Sequence, residues 1–133
     1  MIERLAARKA AGTAGSEDIA DLRSLVDGMR GVHTTAAYND LDAAFHVRIV
    51  RASDNALAAV LMAALREALR QAMVTAFESL EDPVSTMQTL TDEHAAIVDA
   101  IAAGDGDRAA ELVTGHITGF YRALGFSDLK WAG

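Results

Sequence analysis

The chain has 133 residues, no Cys, and 12 Lys and Arg against 19 Asp and Glu, a formal charge of −7. That length suits one domain, and 51% hydrophobic residues exclude disorder by composition, while the missing thiols exclude a disulfide framework, thiolate zinc sites and cysteine nucleophiles. The acidic surplus argues against direct nucleic-acid binding by this chain alone; no apolar run approaches the roughly 20 residues that span a bilayer, and Glu3, Arg4, Arg8 and Lys9 interrupt any signal-peptide core, so a cytoplasmic protein is expected.

Ala, Leu, Arg and Glu dominate and no sustained period-two alternation occurs, so the fold is predicted to be all-α. A first, short helix runs from about Ile2 to Ala11 and stops at Gly12-Thr13-Ala14-Gly15. The second is capped by Ser16, carries Glu17 and Asp18 in its first turn, shows Ile19, Leu22, Val26 and Met29 at helical spacing, and ends over Gly28 to Gly31. The third spans Thr34 or Thr35 to Ala52 with Leu41, Phe45, Ile49 and Val50 as its stripe, and Arg48 and Arg51 on its exposed side. Asn55 caps the fourth, Ala56 to Ser79, whose stripe is Leu57, Leu61, Leu65, Leu69 and Met73 and which Glu81-Asp82-Pro83 terminates. The fifth covers Ser85 to Ala103 with Met87, Leu90, His94, Ile97, Val98 and Ile101. The sixth starts at Asp105 or Asp107 and continues to Leu124 through Leu112, Val113, His116, Ile117 and Phe120. Residues 125–133 read as a tail, in which Trp131 packs on the body or serves a partner. Short connections between long amphipathic helices imply an antiparallel bundle of about six helices.

Three of four histidines lie in apolar stripes: His46, His94 and His116. Asp42 precedes His46 by four residues, so both side chains lie on one helix face and can reach a common cation. A buried neutral imidazole needs partners for both ring nitrogens, which one metal bond and one outer hydrogen bond provide. Taken singly, each His reads as a hydrogen-bonded core residue and Asp42 as a surface carboxylate. Taken together, Asp42, His46, His94 and His116 form a candidate site for a divalent metal, Zn²⁺ first, with Ni²⁺, Mn²⁺ or Fe²⁺ also suited. His33, beside a helix end, is expected to be exposed. Arg66 and Arg70, one turn apart on the fourth helix, read either as a solvated edge or as guanidinium groups offered to a carboxylate ligand. Phosphate-loop, dinucleotide and hydrolase-elbow motifs are absent, and Gly104-Asp105-Gly106-Asp107 reads as a helix-to-helix turn.

The pieces Leu41-Asp42-Ala43-Ala44-Phe45-His46, Arg51-Ala52-Ser53-Asp54-Asn55, Glu93-His94 through Ile101 with Gly104-Asp105, and Ala109-Ala110 leading to His116 resemble one family. It is the C-terminal ligand-sensing (FCD) domain of FadR-type regulators in the GntR family of transcription regulators. The likeness covers about Ile2 to Leu124, with Glu3 to Lys9 matching the second half of the family's first helix and no winged helix-turn-helix domain in the sequence. It implies that Asp42, His46, His94 and His116 are the metal ligands, that a small organic acid binds beside the metal, and that the chain is a single sensor domain of a homodimer. Such a sensor is no enzyme; it controls DNA binding by an attached or partner domain. Two other classes compete: a mononuclear metalloenzyme on a helical bundle, and a metal-free helical dimerisation module. Glu93 and His94, being adjacent, diverge by about 100° and weaken a di-iron reading.

Overall fold

The computed structural model describes residues 2–125; the Trp131 expectation lies outside them. The described residues form six helices and no strand: α1 (Ile2–Thr13), α2 (Ser16–Gly31), α3 (Thr35–Ala52), α4 (Ala56–Glu78), α5 (Pro83–Ala102) and α6 (Gly106–Ala123). The predicted all-α bundle is therefore what the chain forms. None of these helices is long and apolar enough to cross a membrane.

The helix ends follow from local chemistry, with two corrections. Thr34, Asn55 and Asp105 each accept a backbone N–H three residues on, as N-caps do. Ser16 is not the cap of α2. Gly15 holds that position, and its own N–H donates to the Asp18 carboxylate at 2.9 Å, so this helix start is closed by an acid reaching back from the first turn and not by a cap side chain. Pro83 lies beyond the end of α4 at Glu78 and opens α5, two residues earlier than the periodicity suggests. At the first helical position its missing N–H costs nothing, and Asp82 caps the helix by accepting from Ser85 at 3.0 Å.

Helix α1 packs against α3, α5 and α6, with α2 flanking α3 and α5. Three alanines permit this close packing of one face: Ala6, Ala7 and Ala10 are all buried and carry too little bulk to hold the neighbours apart, while Ile2 and Leu5 on the other side are exposed. Around them Leu22, Tyr38, Phe45, Ile49, Val50, Ile97, Val98 and Val113 fill the core. Gly104 ends α5 in the left-handed region at φ 73°, and the Asp105 N–H reaches back to the Ala100 carbonyl at 3.0 Å. At Gly106 a Cβ would stand 2.9 Å from the Arg8 carbonyl oxygen. Gly106→Ala is therefore expected to force α1 and α6 apart and lower stability by about 1–3 kcal/mol, measured as a shift in the urea midpoint with unchanged slope.

Two surface expectations fail. Arg48 does not face solvent; it crosses to α2 and pairs with Asp18 at 2.7 Å and Asp21 at 2.9 Å. The stripe of α4 is not core either: Leu57 is 72% exposed, Leu61 61% and Leu65 59%. The side of α4 that is buried carries Ala59, Val74 and Phe77, because α3 is its main neighbour and no described helix covers the leucines.

Candidate metal centre

Asp42 and His46 come from adjacent turns of α3, His94 from the middle of α5 and His116 from the middle of α6. All four are buried, and each offers one ligating atom, these atoms lying within 4.8 Å of one another. The sequence-predicted quartet thus converges, across three helices, on one point.

The orientation of the rings carries the chemistry. Nδ1 of His46 hydrogen-bonds the Glu3 carboxylate of α1, Nδ1 of His94 lies 3.1 Å from the Met29 sulfur of α2, and Nδ1 of His116 lies 2.9 Å from Glu93 of α5. Every Nδ1 is therefore engaged at the rim, which leaves Nε2 as the ligating atom. Nε2 of His46 and of His94 stand 3.1 Å and 3.0 Å from the same atom, Asp42 Oδ1. Nε2 of His94 has this one charged neighbour and is otherwise a buried polar atom without a hydrogen-bond partner. Buried polar groups are ordinarily satisfied, and an inward lone pair beside a shared carboxylate oxygen is what a cation needs. The Asp/His/His/His group can hold a metal ion.

Charges around the centre are balanced. Arg66 of α4 reaches Asp42 at 3.3 Å and Glu3 at 3.5 Å. Burial raises the Asp42 carboxyl, but His46 and His94 outweigh it and hold it well below the usual carboxylate range. Burial also raises Glu3, and His46 with Arg66 brings it back below its ordinary value. Burial disfavours a charged His46, yet the Glu3 and Asp42 carboxylates prevail and push it up to about 9. At His94 burial wins over Asp42, and the ring is pushed down to about 4.

These shifts carry opposite signs in stability. With chelator present, His94 is neutral in the folded chain down to about pH 4, whereas the unfolded chain protonates it near 6.5. Unfolding then takes up protons, so chelated protein is expected to lose stability as pH falls from 6.5 towards 4. The His46 contribution is complete below 6.5 and lost as pH rises through about 9. Urea midpoints at pH 4.5, 6.5 and 9 test both signs.

A cavity of about 50 Å³ adjoins the centre, lined by Glu3, Asp42, His46, Arg66 and His116 on its polar side and by Met73, Leu90, Ile117, Phe120 and Tyr121 elsewhere. Arg66 thus faces both the cavity and the carboxylates. Arg70 does not line it; its guanidinium grips Asp40 of α3 at 2.7 Å and 3.0 Å, beside a larger surface groove between α3 and α4 that contains no histidine. His33 is exposed, as expected.

Glu3, Glu93 and Met29 were not singled out as site residues from the sequence. For Glu3 a signal existed: with Ala6, Ala7 and Ala10 it shares one face of α1, and a lone acid on a small-residue face points inward.

The FCD domain profile matches residues 1–119 of the chain. A comparison with curated proteins returned no match. With that match spanning most of the sequence, the chain belongs to the FCD domain family, the ligand-sensing regulatory domains of GntR-type regulators.

Proposed function

We propose that residues 1–133 form a single sensor domain that holds one divalent cation on Asp42, His46, His94 and His116 and binds a small organic acid beside it. The observation that carries the reading is the orientation of the three imidazoles, each with Nδ1 engaged at the rim and the unpartnered Nε2 of His94 facing Asp42. Three imidazoles and one carboxylate suit Zn²⁺ best, with Ni²⁺, Mn²⁺ and Fe²⁺ as the other metals such a set accepts. When bound, the cation supplies a Lewis-acidic anchor for a carboxylate. Arg66 supplies the second charge, and its contacts with Asp42 and Glu3 hold it at the cavity wall. Arg70, paired with Asp40, instead fastens α4 to α3.

Cavity size sets the class of acid. Space of about 50 Å³ is less than two waters at a liquid share of about 30 Å³ each, which favours the smallest acids, of two or three carbons. The role is binding and not catalysis: Glu3 and Glu93 are both committed to imidazoles, so neither serves as a general base. Occupancy would govern DNA binding by an attached or partner domain. A second copy of this chain is the proposed partner. The first ten residues of α4 carry no charge, and Leu57, Val60, Leu61 and Leu65 leave one self-matching apolar face for a symmetric contact.

Calorimetric titration with acids of two to six carbons tests the sensor. Saturable binding is expected for the smaller acids, in metal-loaded protein only, without turnover. Arg66→Ala should weaken it about 10- to 100-fold, the worth of a hydrogen bond to a charged group. Equal binding by chelated protein would sink the reading.

A further inference from the structure

We infer that Glu3 is a positioning residue for the candidate ligand His46 and that it ties the first turn of α1 to the metal centre. The inference rests on the metal reading above. Glu3 is only 7% exposed, and an isolated buried carboxylate is costly unless it is paired. Its two oxygens are divided between two partners: one accepts from Nδ1 of His46, the other lies 3.5 Å from the Arg66 guanidinium. With Nδ1 held, the His46 ring can present only Nε2 to Asp42 and the centre.

The three outer partners are unequal. Glu93, behind His116, has a side chain 38% exposed, so water competes for it. Met29, behind His94, offers a thioether, a weak acceptor. Glu3 is the buried carboxylate of the set, and it is the one α1 residue lining the cavity. Whatever factor Glu3 adds to cation affinity, a bound cation must return to the docking of the α1 first turn, since coupling between two equilibria is reciprocal.

The test uses the full chain and Co²⁺ alone as probe. Glu3→Gln keeps size and helix but cannot hold Nδ1–H as a carboxylate does. It is expected to bind Co²⁺ about 10- to 100-fold more weakly, with the visible absorption bands unmoved, because the ligating atoms are the same. In the wild type, Co²⁺ should also slow hydrogen exchange at Ala6 and Ala7, the first amides that bond within α1, and this slowing should vanish in Glu3→Gln. Wild-type affinity in the variant overturns the inference. Shifted bands overturn it as well, by making Glu3 a ligand. The wild-type exchange measurement decides even if the variant fails to fold: no slowing on loading refutes the link to α1. A wild type that takes up no Co²⁺ is a different result, since it removes the metal centre itself.

Discussion

His94→Ala is expected to abolish stoichiometric cation binding, lowering affinity by more than 100-fold. Loss of an outer hydrogen bond alone costs 10- to 100-fold, and this substitution removes a ligating atom. His94 is also the least replaceable member, because it is fully buried with Nε2 unpartnered and its ring packs 4.5 Å from Phe45 and 4.4 Å from His116 between centroids. No other His is near enough to substitute, since His33 is exposed at the end of α2. The measurement is metal content after gel filtration without chelator, beside competition with a chromophoric chelator. Asp42→Asn, which changes charge at almost constant volume, separates lost ligation from lost packing. One cation per chain in His94→Ala, bound at wild-type affinity, would remove the centre from the molecule.

The second large effect is metal removal, and its size depends on pH. At pH 8, with free cation at about 100 times Kd, binding stabilises the fold by about 2.7 kcal/mol. For a domain of this size that corresponds to a Tm on the order of 10 °C above the chelated protein. His46 keeps its second ring proton in the metal-free fold up to about pH 9, and its Nε2 ligates only once that proton has left. Ligation therefore releases about one proton, and each pH unit below 9 weakens apparent affinity about tenfold. Between pH 8 and pH 6 the loss is about 100-fold, so at the same free cation the shift should shrink to 1–2 °C by the same relation. Thermal scans with and without EDTA at both pH values check this. A shift that is equal at pH 6 and pH 8 would mean that His46 is not the group displaced.

Much of the centre was legible because it is written in short-range spacing. Asp42 and His46 share a face by helix geometry alone, and His94 and His116 fall in register with Leu90, Ile97, Val113 and Phe120, all of them buried or half-buried here. What spacing does not encode is the neighbour. Glu93 follows a different azimuth from His94 on α5, and only the packing of α6 alongside it reveals a partner for His116. Arg48 is polar and sits beside a core face, so the sequence leaves open whether it meets water or the acids of α2. Glu3 in a first turn looks like an acid complementing the helix dipole, until α1 is seen to turn its Glu3 and alanine face onto α3, α5 and α6.

The sequence by itself determined six helices, their caps to within a few residues, an all-α class and the four residues that could share a cation. Periodicity and capping are properties of one segment at a time, and they survive whatever the segment packs against. Only the tertiary structure decided that the leucines of α4 stay uncovered, that Arg66 and not Arg70 reaches the cavity, and that α1 delivers Glu3 to His46. Those are choices between faces of different helices, fixed by which surfaces fit together, and no single segment carries that information.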